Sequence, residues 1–120
     1  MSRPVPSLWG VYLARFPAQI FRGGRLRRQI RPVAVVSDAS GGKASVVPLS
    51  GREGRKDRSA HIQISGCGRR KHSWALCELV TTLSTKNLAV RLGTITEPYD
   101  RYAIRHALAE HLGIPEITSW

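Results

Sequence analysis

The feature that most restricts the fold is a succession of short apolar runs, rich in β-branched residues and separated by glycine, proline or charged segments, that ends in one capped helical pattern. Trp9–Phe16 is aromatic and branched and stops at Pro17, Pro32–Ser37 enters on a proline and carries Val33, Val35 and Val36, and Ala44–Leu49 follows. Branched runs of about four to eight residues bounded by turn formers read as strands. Ala60-His61-Ile62-Gln63-Ile64 alternates with the period of two that gives a strand one wet face. Ser73–Leu83 also reads as a strand, with a helix as the alternative for its pattern, and Asn87–Ile95 closes the β portion. Between these runs, residues 17–30 and Gly51–Ser59 read as charged loops and Gly66-Cys67-Gly68 as a turn.

The last element is the most sharply bounded. Glu97 with Pro98 starts a helix, Asp100 sits in its first turn where the backbone dipole favours an anion, and Gly113 with Pro115 stops it. Ile104, Ala107, Leu108, His111 and Leu112 share one face, the spacing of a helix packed on a core. About five short strands followed by one helix predict a mainly β (β+α) fold, a small and strongly curved β-barrel capped by the helix. With 120 residues, one core is the working expectation: a single domain over 1–120, the barrel over about 8–96 and the helix over about 97–112. No apolar stretch approaches the roughly 18 residues of a membrane helix. Val11-Tyr12-Leu13-Ala14 runs straight into Arg15, unlike the apolar centre of a signal peptide. The chain is therefore read as soluble and cytoplasmic, with no membrane partner.

Charge narrows the function. Nineteen Lys and Arg against eight Asp and Glu give +11, and the excess is lopsided: residues 1–75 hold 15 basic and 3 acidic side chains, residues 76–120 hold 4 and 5. Such a basic half requires a polyanion. Arg supplies most of it, and the planar guanidinium fork suits phosphate oxygens and base faces better than an ammonium does. Nucleic acid outranks a membrane surface, because no basic amphipathic helix accompanies the charge.

Ile30-Arg31-Pro32-Val33-Ala34-Val35-Val36-Ser37 resembles the second strand of the MazF/PemK toxin family, which opens on Arg-Pro-Val and ends in Ser. Trp9–Phe16 is similar to the family's first strand and Val46-Val47-Pro48-Leu49-Ser50 to its Val-Val-Pro-Leu-Thr strand. Lys71-His72-Ser73-Trp74-Ala75-Leu76-Cys77-Glu78 resembles the strand leading to an acidic residue, and Leu79–Leu83, Leu88 and the Ile104–Leu112 helix complete a match over roughly residues 8–114. The resemblance implies an SH3-like barrel of the MazF/PemK and CcdB kind. It also implies a homodimer that cuts single-stranded RNA without metal or other cofactor, leaving a 2′,3′-cyclic phosphate and a 5′-hydroxyl, and that a cognate acidic antitoxin restrains.

Carried over position by position, the family's strand-opening Arg is Arg31, which would stabilise the charged phosphorane. Its Thr or Ser that hydrogen-bonds the phosphate is Ser50, and its acidic residue is Glu78, the candidate base. For each the plain structural alternative stands beside the functional one: an Arg paired at a strand mouth, a strand-end turn former, a rim carboxylate. Departures from the family pattern lie in Gly24–Ile30, which has no Glu, and at Leu76, Leu79 and Thr81, where the family has Arg, Gln and Arg. They keep two alternatives in view, a barrel that binds RNA or DNA without cutting it and a gyrase poison of the CcdB type.

The RNA groove is assigned to the basic segments 22–31, 52–58 and 69–71, with Arg25, Arg27, Arg28, Arg69 and Lys71 on phosphates and Trp74 placed to stack on a base. A core or interface Trp is the alternative reading of Trp74. His61 is counted with the RNA-binding residues of the groove; it shares a strand face with Gln63, where a solvent-facing histidine is the plain structural alternative, and either it or His72 offers an imidazole, whose ordinary titration lies close to neutrality, to replace a missing acid or base. His111 reads as packed on the helix face. Cys67, His72 and Cys77 repeat three ligand spacings of a zinc knuckle, but its first ligand would fall on Ile64, which cannot bind zinc, so no metal site is assigned.

Overall fold

β3, Lys43–Ser50, is the strand from which the sheet branches. In the computed structural model, which describes residues 5–20, 26–51, 61–65 and 73–115 and only the backbone of 17–20 and 26–28, it follows β1 (Gly10–Ile20) and β2 (Leu26–Val35). After it come β4 (His61–Ile64), β5 (Ser73–Leu76), β6 (Thr81–Ser84), β7 (Leu88–Thr94) and helix α1 (Pro98–Leu112), with 3-10 turns at Cys77–Leu79 and Thr85–Asn87. All pairings are antiparallel, in the order β4-β5-β3-β2-β1-β7 with β6 on β3. One edge of β3 meets β2 through Val33↔Pro48, Ala34↔Val47 and Val35↔Val46. Its other edge changes partner midway, from β6 over Lys43–Val46 to β5 at Leu49 and Ser50. Pro48, which has no N–H for a ladder, stands at that change.

Side-chain alternation then divides the sheet into two buried faces. One holds Val11, Ala34, Val47, Leu49, Ile64 and Ala75 against Ile104 and Ala107 of α1. The other holds Ala14, Val33, Val35, Ala44, Val46, Leu83 and Leu88. The central strands are covered on both sides, which is why Pro32–Val36 and Ala44–Leu49 read as continuous apolar runs and not as alternating ones. Each fully buried Val, Leu or Ile contributes about 1.5–3 kcal/mol.

Trp9 ties the start of β1 to three neighbours. It is buried in the left-handed region at φ 69°, a conformation L side chains resist. Its N–H donates to the Val35 carbonyl at 2.8 Å, its carbonyl accepts from Ile95 at 2.9 Å, and the Arg101 guanidinium sits 5.7 Å from its ring centre. Arg101 in turn donates through Nε to the Ile95 carbonyl at 2.6 Å. The helix begins and ends as the sequence predicts. Glu97 caps the Tyr99 N–H, and at the other end Gly113, at φ 67°, donates to the Glu110 carbonyl while Ile114 donates to that of Ala109. Asp100 is buried and accepts the Ser65 N–H at 3.1 Å, fastening α1 to the end of β4.

Four readings change. β1 does not stop at Pro17: a register shift between Phe16 and Gln19 lets the strand pass the proline and run to Ile20. With β2 starting at Leu26, most of residues 17–30 is therefore hairpin and not one long loop, and Arg27 and Arg28 lie on a strand. Ser73–Leu83 is two strands broken by the 3-10 turn at Cys77–Leu79. His111 and Leu112 are exposed, because the docked face of α1 ends with Leu108. Against about five expected strands, the described residues form seven in a mainly β fold with a C-terminal helix, one of them added by the break at Cys77–Leu79.

Candidate functional site

Register brings the sequence-selected residues into one row. Ala14 is level with Arg31 across β1 and β2, Ser50 with Trp74 across β3 and β5, and Trp74 with Gln63 across β5 and β4. Extending the Val33↔Pro48 register by two residues sets Arg31 level with Ser50. The four side chains Arg31, Ser50, Trp74 and Gln63 alternate with Ala34, Leu49, Ala75, Ile62 and Ile64, which pack in or on the core under α1, so all four project from the opposite face. Strands lie about 4.8 Å apart, so the row spans roughly 15 Å. Arg31, Ser50 and Trp74 are half-buried and Gln63 is exposed.

Chemically the row offers a guanidinium fork, a hydroxyl, an indole face and a carboxamide. Among the described residues no carboxylate lies within ion-pair distance of Arg31, leaving its donors for an anion. Trp74 belongs to neither buried cluster, although a core position was the alternative for it. Gln63 was legible only as a wet-face residue; the signal that joins it to the site is its register with Trp74, which the sequence does not carry.

One step along the same face, His61 is level with Leu76. The chain then turns through Cys77–Leu79 and returns Glu78 towards β4, where its Oε1 lies 2.6 Å from His61 Nε2. The side chains are 8% and 18% exposed, so His61 is not the solvent-facing strand histidine that alternation with Gln63 suggested. A carboxylate accepts only, so in a neutral imidazole the proton sits on Nε2 and Nδ1 carries the lone pair. Nδ1 is itself buried and has no hydrogen-bond partner among the described residues. Beside Glu78, the Cys77 thiol points into the core and donates to the Ala75 carbonyl at 3.8 Å. Burial first, and the Glu78 charge second, push that thiol up to about 12, which keeps it protonated and poor as a nucleophile or ligand.

Arg25, Arg69 and Lys71 lie outside the described residues, as do Cys67 and His72, and Arg27 and Arg28 are described by backbone alone. Among the described residues no three His, Cys, Asp or Glu side chains gather where they could hold a metal ion.

Residues 9–112 match the family model described as the PemK-like, MazF-like toxin of type II toxin-antitoxin systems. Among solved structures, the chain is similar to MazF of Deinococcus radiodurans at TM-score 0.75 and 18% identity, over 93% of this chain and all of that one. It is also similar to a mycobacterial endoribonuclease in complex with its cognate antitoxin, at TM-score 0.66 and 22% identity over 93% and 99% of the two chains. The Mycobacterium tuberculosis toxin MazF-mt6 aligns at TM-score 0.69 and 12% identity over 89% and 99%. No curated protein matches by sequence.

Proposed function

The chain belongs to the PemK-like, MazF-like toxin family of type II toxin-antitoxin systems, and from that premise we propose that it is an endoribonuclease that cuts single-stranded RNA by attack of a 2′-hydroxyl on its own phosphate, without metal. The observation that carries the reading is the row Arg31–Ser50–Trp74–Gln63 on one sheet face. A single strand laid along it would place a phosphate against the Arg31 fork and the Ser50 hydroxyl and a base on the Trp74 face. Arg31 then stabilises the charge that grows on the phosphorane, and the Glu78 carboxylate serves the transfer of the 2′-hydroxyl proton. The basic residues of 22–31, 52–58 and 69–71 add phosphate contacts, so affinity falls steeply with salt. The same excess of charge suits an acidic antitoxin. Structures of relatives with antitoxins support such a partner, and with it we include a homodimer acting in the cytoplasm.

The test is incubation of the purified chain with single-stranded RNA in EDTA, followed by end-group analysis. The reading requires products with 2′,3′-cyclic phosphate and 5′-hydroxyl ends. Products with 3′-hydroxyl ends refute the mechanism, and RNA that is bound but stays intact supports instead a barrel that holds nucleic acid without cutting it.

A further inference from the structure

Glu78 is the carboxylate that sequence similarity selects, yet its Oε1 is taken up by an imidazole at 2.6 Å. This short contact joins the start of β4 to the 3-10 turn after β5, next to the ladder pair His61↔Leu76. His61 lies on the face that presents Ser50, Trp74 and Gln63, one ladder step from the Gln63 end of the row. Its side chain is more than nine-tenths buried, and its Nδ1 has no hydrogen-bond partner among the described residues. An unpaired buried polar atom costs about 1–3 kcal/mol, so it calls for an explanation beyond folding.

Resting on the reading of the chain as an RNA-cleaving enzyme, we infer that His61 is the residue that takes the 2′-hydroxyl proton and that Glu78 is a positioning residue acting through it. The carboxylate accepts the Nε2–H, which fixes the tautomer and aims the lone pair of Nδ1 outward from the pair, and it supports the imidazolium once Nδ1 is protonated. In the cleavage step the proton of the 2′-hydroxyl passes to Nδ1 while the oxygen's electron pair forms the new bond to phosphorus. The bond from phosphorus to the 5′-oxygen breaks with its pair on that oxygen, which takes a proton from a water molecule. The imidazolium afterwards returns its proton to solvent. Nδ1 is closed to solvent in the RNA-free chain, so the step requires that RNA binding bring the 2′-hydroxyl to it. The arrangement also accounts for a site with few acids: one carboxylate suffices when it orients a histidine.

The experiment measures single-turnover cleavage and, separately, affinity for the same RNA carrying a 2′-deoxy sugar at the cut site. His61→Gln and Glu78→Gln each lower the cleavage rate by about 10²–10⁴-fold and leave affinity for the deoxy RNA within about threefold. The double variant is no slower than His61→Gln alone, since the two act as a unit. Imidazole in the buffer restores part of the rate of His61→Ala and none of that of Arg31→Ala. Full cleavage by His61→Gln beside an inactive Arg31→Ala overturns the inference and leaves the RNA-cleaving reading standing. Loss of deoxy-RNA binding in step with the rate also overturns it, because the pair is then structural. A wild-type chain that leaves RNA intact overturns both.

Discussion

Replacing Arg31 with Ala isolates the contribution of the row to catalysis. Arg31 is half-buried on β2, with Ala14 level on one side and Ser50 on the other, and no ion pair among the described residues depends on it. The fold therefore loses only the packing of the side-chain stem, about 0.5 kcal/mol for a site of this kind. The reaction loses a charged donor aimed at the phosphate as negative charge grows there. Removal of one such preorganised donor costs about 2.7–4 kcal/mol, or 10²–10³-fold in the rate of the chemical step. The slope of log affinity against log salt should flatten by about 0.7, the share of one phosphate contact on a single strand. Single-turnover cleavage of an end-labelled RNA, titration of binding between low and high salt, and thermal unfolding read the three quantities separately. A variant that melts with wild-type cooperativity and still cleaves within about threefold of wild type would show that Arg31 does not meet the reacting phosphate, and the row would lose the member assigned to that phosphate.

Three further outcomes follow from other positions. Ser50→Ala removes one neutral hydrogen-bond donor at the row, worth about 1 kcal/mol and roughly fivefold in cleavage rate, so it should be much milder than Arg31→Ala in the same assay. Gly113→Ala meets no steric neighbour within 4 Å but forces an alanine to φ 67°, and should lower stability by about 1–2 kcal/mol in urea unfolding without changing cleavage. Cys77 links stability to alkaline pH: its thiol is raised from 9.0 to about 12 in the folded chain, so the folded state stays protonated where the unfolded one ionises. The stabilisation is complete below pH 9 and is lost as pH rises from 9 towards 12; Cys77→Ala should flatten that decline in denaturant titrations across the range, and an unchanged profile refutes the assignment.

What the sequence made legible follows the range of the interactions involved. The helix was bounded to the residue because its limits are local: Glu97, Pro98 and Gly113 act on backbone groups within one turn. The apolar runs around Val33–Val36 and Ala44–Leu49 announced strands because both their faces are covered. The hairpin beyond Pro17 was hidden, since a proline and two glycines read locally as a break and only pairing across the bulge carries β1 on to Ile20. The 3-10 turn at Cys77–Leu79 was hidden for a related reason: Leu76, Cys77, Leu79 and Val80 suit a strand as well as a turn, and the deciding contact joins Glu78 to a residue seventeen positions away.

That contact changes what the three selected residues mean. Arg31 and Ser50 come from adjacent strands and are brought level by register alone. Glu78 meets the same face at His61, a residue the sequence ranked as a wet strand position. The two-faced sheet explains how both can hold. The face under α1 carries Val11, Val47, Leu49, Ile104 and the bulk of the apolar packing, while its opposite carries a second apolar cluster at one end and the polar row at the other. Strand alternation assigns neighbouring residues such as Leu49 and Ser50, or Ala75 and Trp74, to different tasks, so substitutions one residue apart should separate cleanly into those that unfold the chain and those that silence it. Leu49→Ala, which empties a fully buried site, should cost about 2–5 kcal/mol of stability. Ser50→Ala, its neighbour, should cost no more than about 1 kcal/mol, and equal destabilisation by the two would mean that Ser50 serves the fold and not the site.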